Sequence, residues 1–151
     1  MARFTHPAIL NYGSSADGTW VIEGGTLGED QPQFDGDPLF SGRWTLIGTL
    51  CHFTIDVDMD NIDDFGTGQY YMKLPFVSKN NYLLSDGCLH DISTGDEYQM
   101  LGHVNAGSDV MTLLSIASNG RHVAFTDGTP VNLAKADNFH IAGNFEIDPS
   151  V

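Results

Sequence analysis

Between Cys51 and Met59 every second residue is apolar. Cys51, Phe53, Ile55, Val57 and Met59 alternate with His52, Thr54, Asp56 and Asp58. A period of two over nine residues does not fit a helical face. It requires a strand with one dry and one wet side. The end of the chain repeats the pattern: Phe139, Ile141, Gly143, Phe145 and Ile147 alternate with His140, Ala142, Asn144 and Glu146. Gly143 leaves a gap on the inner face where a neighbouring side chain can pack. Pairing of these two long strands would close a domain.

The residues between them read as short strands and turns. Arg43 to Ile47 precedes the opening strand, with Gly48 as a bend or bulge in a nearly continuous ribbon. Residues 60–68 form an acidic loop, and Gln69 to Leu74 is a strand with Tyr70, Met72 and Leu74 on one face. Further strands are expected at Gly87 to Ile92, Glu97 to Val104 and Val110 to Ala117. Ser118-Asn119-Gly120 is a hairpin signal leading into Val123-Ala124-Phe125. Val131 to Asp137 fits a strand end or one helical turn. Turns every eight to twelve residues, with 17 glycines in 151 residues, define an all-β chain: an antiparallel β-sandwich or jelly-roll-like domain.

Residues 1–41 differ. Pro7, Pro32 and Pro38, many glycines and broken apolar pieces suggest an extended N-terminal arm for assembly or attachment. Its contacts would be Phe4, Ile9, Leu10, Trp20 and Ile22. The β-sandwich is then residues 42–151, expected to fold without the arm.

The formal net charge is −14, with only six Lys and Arg. That balance argues against a nucleic-acid backbone as partner and against an anionic membrane surface. No run approaches the ~20 apolar residues of a membrane helix. Met1 to Pro7 has no apolar centre, so no leader is expected and the chain should fold in a cytoplasm. Cys51 and Cys88 read as small buried hydrophobes, with a disulfide between them as the alternative.

Chemistry-bearing residues are few. The corner Asp56, Asp58, Asp60, Asn61, Asp63 and Asp64 resembles a hard-cation site in composition. Against the EF-hand spacing, however, Asn61 stands where glycine is needed and Thr67 where glutamate is needed. Asp56, Asp58, Asp60 and Asp63 are therefore weak metal candidates, and the plain reading is a solvated acidic edge that discourages unwanted strand pairing. His52 and His140 lie on the wet faces of the two clearest strands, where a histidine from each copy around a symmetry axis could also hold a metal. Cys51 and His52 point to opposite faces and form no dyad. Asp91, Glu97 and Asp109 are carboxylates without a motif. No catalytic residue and no cofactor is expected, so the chain reads as a non-enzyme. Trp20, Trp44, Tyr70, Tyr71, Tyr82 and Tyr98 could stack on sugar rings or serve core and interface. Tyr71, Trp44 and Tyr82 are the candidates for contact with a ligand or receptor.

Several phrases carry a family resemblance: Gly42-Arg43-Trp44-Thr45-Leu46-Ile47-Gly48, then Phe65-Gly66-Thr67-Gly68-Gln69-Tyr70-Tyr71-Met72-Lys73-Leu74-Pro75-Phe76. Gly87-Cys88-Leu89-His90-Asp91, Gly102-His103-Val104-Asn105-Ala106-Gly107 and Ala136 to Glu146 belong with them. Over about residues 42–147 the chain resembles a β-domain of tailed-bacteriophage structural proteins, described as minor tail proteins or tail-fibre heads of phages of actinobacteria. The resemblance implies a virion protein on the particle exterior, assembled as a homotrimer. Its other partners would be tail or major capsid proteins, with a host-surface glycan as a further partner. Fibre heads usually follow a long shaft or a collagen-like repeat. The short arm here raises the rival role of a capsid decoration protein. A carbohydrate-binding receptor-recognition module is the third reading.

Overall fold

The structure is a computed structural model that describes residues 15–20 and 22–151. Its strands, in chain order, are β1 (Ser15–Thr19), β2 (Gly24–Thr26), β3 (Gln33–Phe34), β4 (Leu39–Ile47), β5 (Leu50–Asp58) and β6 (Ile62–Asp64). They continue with β7 (Tyr70–Lys73), β8 (Tyr82–Asp91), β9 (Asp96–Val104), β10 (Val110–Ile116), β11 (His122–Ala124) and β12 (Asn138–Glu146). The fold is all-β. One ten-stranded antiparallel sheet runs β1-β4-β5-β12-β8-β9-β10-β7-β2, with β11 beside β10, and β3 and β6 form a separate ribbon. The sheet curls around its core as a sandwich of jelly-roll type.

The two alternating stretches become the centre of this sheet. β12 lies between β5 and β8 and pairs with β5 over its whole length, with Ile141 opposite Ile55 and Phe145 opposite Cys51. The apolar phase faces inward on both strands: Cys51, Phe53, Ile55, Ile141 and Phe145 are fully buried. The rings of Phe53 and Phe145 meet edge-on at 5.8 Å. The gap at Gly143 is filled by Leu84, whose Cδ2 lies 3.0 Å from where a β-carbon would stand.

Three expectations are revised. Gly48 is not a bend in a continuous ribbon. It takes φ +61° and, with Thr49, turns β4 back on β5 so that Ile47 faces Leu50. Glycine reaches that backbone region without steric cost. Residues 131–137 form neither a strand nor a helical turn but an irregular segment. It is anchored by Asp137, whose carboxylate accepts from the backbone N–H of Ile92 (3.0 Å) and of Ala134 (2.8 Å). Cys88 is half-buried on the outer face, and both cysteines are free. A bulge between Leu84 and Gly87 resets the alternation of β8, so Cys88 and Cys51 project to opposite sides of the sheet.

The segment expected to be an arm also differs. Phe4, Ile9 and Leu10 lie outside the described residues. From Ser15 onward, however, the chain belongs to the domain, and a boundary at residue 41 would cut β4. β1 pairs with β4 at one end of the sheet, and β2 pairs with β7 at the other. The connection passes over Gly42, where a β-carbon would come within 2.6 Å of the Trp20 ring and 2.8 Å of Ile22 Cδ1. Trp20 Nε1–H donates to the Lys73 carbonyl (3.2 Å), and Ile22 is buried in the core. These two side chains therefore contact their own domain. Trp20 and Ile22, which look isolated in sequence, pack on the hydrophobic core.

Candidate functional site

The acidic corner is built from the end of β5, the loop to β6 and β6 itself. Alternation turns Asp56 and Asp58 outward, and both are exposed. Asp58 is occupied locally: its Oδ1 accepts the Asp60 N–H at 2.9 Å. Asp63 pairs with Lys135 at 2.7 Å. Asn61 Nδ2 donates to the carbonyls of Asp35 (3.3 Å) and Asp37 (2.6 Å), tying the preceding loop to the corner. Among the described residues no group of three or more His, Cys, Asp or Glu side chains is arranged to hold a metal ion. Mutual repulsion keeps such carboxylates in water unless a cation or a donor set gathers them.

The three aromatic contact candidates do not come together. Trp44 lies on the inward phase of β4, half-buried, with its ring edge-on to Phe76 at 5.1 Å. Tyr82 also packs against the core, and its hydroxyl accepts the Glu146 N–H at 3.1 Å. Tyr71 is half-buried on the outward phase of β7, opposite Gly25 and Thr112. No common sugar platform forms from them.

The wet face of β4, β5, β12 and β8 runs across the centre of the large sheet. Register places Thr45, His52 and Asn144 in one row, and Arg43, Thr54, Ala142 and Asp86 in the next. Ser41, Asp56, His140 and Cys88 form a third. His52 Nδ1 and Asn144 Oδ1 are 3.0 Å apart. At one end Leu39, Ser41, Asp56, Asp58, Asn138 and His140 line an open groove of about 520 Å³. At the other end Leu83 joins His52, Asp86 and Asn144 in a second groove. Leu39, Ile47, Leu50 and Leu83 are exposed around this face. The face is thus polar along its rows, with these four aliphatic side chains at its corners.

Beside the acidic corner, where the Gly66 N–H donates to Asp64 Oδ1, lie two loops that sequence reasoning did not connect. Leu27 N–H donates to the Gln69 carbonyl (2.8 Å) and Thr67 N–H to the Asp30 carbonyl (2.9 Å). Thr26 Oγ1–H also donates to the Asp30 carbonyl (2.7 Å). The loops run so close that a β-carbon at Gly28 would lie 1.9 Å from the Thr67 oxygen. The Gly66-Thr67-Gly68 phrase was the available signal, because it marks where backbone approaches backbone. Next to it, the Tyr70 hydroxyl donates to the Phe65 carbonyl. Burial first, then the charges of Asp127 and Asp64, push its pKa well above the ordinary tyrosine value.

The reactive groups are held quiet. Burial pushes the Cys51 thiol up to about 12. The Cys88 thiol is also raised, by burial first and then by Glu97. Neither is a thiolate at neutral pH, the form that attacks carbon or binds soft metals. Asp91 is buried, and its Oδ1 accepts the Ser93 Oγ–H (2.6 Å), the Ser93 N–H (2.9 Å) and the Thr94 N–H (3.3 Å). The Ser93 hydroxyl chiefly, with the Thr94 and Ser93 donors, holds its carboxyl below the usual range against the opposing effect of burial. It braces the β8–β9 turn. Of six Lys and Arg, Lys73, Lys79 and Lys135 lie 2.7–2.8 Å from Glu23, Glu146 and Asp63. Such exposed pairs contribute about 0–1 kcal/mol each, so they shape the charge pattern more than the stability.

No protein-family model matches the chain, and no curated protein matches it. Among solved structures, the fold is similar to the crystal structure of the Dettilon tailspike protein (gp208), with a TM-score of 0.63 and 14% identity. The match covers 91% of this chain and 24% of that one, so the chain spans about a quarter of that protein's length. At this identity the likeness is one of fold.

Proposed function

We propose that this chain is a non-enzymatic bacteriophage virion protein, a tail component of the minor-tail or fibre-tip type on the particle exterior. The observation that carries the reading is the tailspike-like fold over nearly the whole chain. The sequence phrases around Gly42, Phe65 and Gly102 resemble phage tail β-domains independently of it. The structural rather than enzymatic role rests on the side chains: a sealed Cys51, Asp58 and Asp91 bonded to their own turns, and His52 and His140 in separate rows of the outer face. The chain works as a homotrimer that also contacts a neighbouring tail protein, and the outer face of β4, β5, β12 and β8 offers surface for such contacts. Host-surface glycan recognition belongs to the same role.

Immunogold microscopy on intact particles of the source phage tests this directly. Label at the tail end is the expected result. Label over the head would instead make it a capsid decoration protein, and no label on any particle would overturn the virion assignment. Native mass spectrometry of the purified chain reads the trimer, and a monomer at micromolar concentration would refute that part.

A further inference from the structure

Three exposed aliphatic side chains share one end of the outer face. Ile47 and Leu50 stand opposite each other across the Gly48–Thr49 turn, on the outward phase of β4 and β5. Leu83, on β8, shares with His52, Asp86 and Asn144 a groove of about 270 Å³. Ile47 is 56% exposed and each leucine 49%. Aliphatic side chains among polar neighbours are the composition of a protein contact, with an apolar centre and a polar rim.

Charge selects what covers them. All 20 Asp and Glu lie in residues 17–151. Of the Lys and Arg there, Lys73, Lys79 and Lys135 are already paired. The outer face itself carries Asp56, Asp58 and Asp86 against Arg43. Two such domains repel as their surfaces approach. Residues 1–14, outside the described residues, have the opposite composition. They hold Arg3, His6 and no carboxylate, with Phe4, Ile9, Leu10 and Tyr12 as their apolar part. That chemistry complements an aliphatic patch in an acidic face. The length also suffices. Fourteen residues span at most about 46–50 Å, and the face from β4 to β8 is three strand spacings wide, about 15 Å. The segment joins the domain at Ser15, opposite Ile47, so it starts at the same end as the patch. Laid on its own copy it would draw in no second chain. Laid on the next copy, it is the part of the chain that turns repulsion between acidic domains into attraction.

We propose that residues 1–14 of one copy cover the Ile47–Leu50–Leu83 patch of the next copy, closing a ring of three. The exchange rests on the homotrimer reading and names its acceptor surface. The test uses the full chain with Asn11→benzoylphenylalanine, irradiated after ¹⁴N- and ¹⁵N-labelled chains are refolded together. Mass spectrometry should find links from position 11 to residues 46–52 or 82–86 that join isotopically different chains. Links confined within one chain, links to other surfaces or no links would each overturn the proposal. Leu50→Ser combined with Leu83→Ser should keep the melting profile and weaken trimer association about tenfold or more. Leu27→Ser, exposed elsewhere, should leave association unchanged. Unweakened association in the double variant, or equal weakening by Leu27→Ser, would also overturn it. Native mass spectrometry separates the two failures: a trimer whose links fall elsewhere refutes the acceptor patch alone, and a monomer refutes the homotrimer beneath it.

Discussion

Gly102 is the sharpest point of the core packing. It lies mid-strand in β9, opposite Leu113 on β10 and Leu84 on β8, so ladders on both sides hold its backbone. A β-carbon there would stand 2.3 Å from Met111 Sδ, 2.8 Å from Met111 Cγ and 3.1 Å from Ile141 Cδ1. Met111 and Ile141 are fully buried and have little room to retreat. Gly102→Ala should therefore cost about 1–3 kcal/mol in overpacking. It regains roughly 0.5–1 kcal/mol because alanine is less free than glycine in the unfolded chain. The net expectation is a loss of about 1–2 kcal/mol. Met111→Ala alone should cost about 2–5 kcal/mol through the cavity it leaves. In that background the methyl added by Gly102→Ala enters emptied space, and the second substitution should cost nothing or stabilise. Urea unfolding followed by tryptophan fluorescence measures all four corners of the cycle, with Trp44 against Phe76 as the natural reporter. Additivity of the two substitutions within about 0.5 kcal/mol would refute the packing argument.

Three further outcomes follow from the same structure. A chain beginning at Ser15 should melt cooperatively, because it keeps every described strand. One beginning at Ser41 loses β1, β2, β3, Ile22 and the first two residues of β4, and should not; an unchanged calorimetric transition for the shorter chain would refute the closing role of residues 15–40. Phe145→Asp removes a buried ring that meets Phe53 and buries a carboxylate, a cost of about 5 kcal/mol or more. Circular dichroism should show it unfolded, and a soluble variant with a native melting profile would contradict the face assignment. The depressed pKa of Asp91 makes its contribution fully present above the ordinary aspartate value, about 3.9, and lost as pH falls through its lower folded value. The stability advantage of the native chain over Asp91→Asn should shrink on acidification across that window. A pH-independent difference in urea midpoints would contradict the proposed bonding.

The central half of this fold was legible because its physics is local. β5 and β12 announce their buried faces residue by residue, and Asn119-Gly120 marks the β10–β11 turn. The edges were not legible. β1 reads Ser-Ala-Asp-Gly-Thr and carries no alternation, since an edge strand held by backbone bonds needs no apolar phase. The bulge in β8 leaves no local mark, so a simple alternation puts Cys88 on the wrong side. Trp44 and Tyr82 look like exposed platforms only while their partners, Phe76 and the Glu146 N–H, are unknown.

The position of β12 has a consequence for biosynthesis. β5 and β8 are each half-paired until residues 138–146 slide between them. A ribosome makes those residues only after every strand from β6 to β11. The centre of the sheet therefore stays open while most of the domain is already outside. During that interval the emerging chain carries two unpaired strand edges, and it then closes through contacts between residues far apart in sequence, the slow regime for chains of this size. A nascent chain, or one cut before residue 138, exposes those edges together with the inner faces of Phe53 and Leu89. Lower expression temperature or added chaperones should then raise the soluble yield.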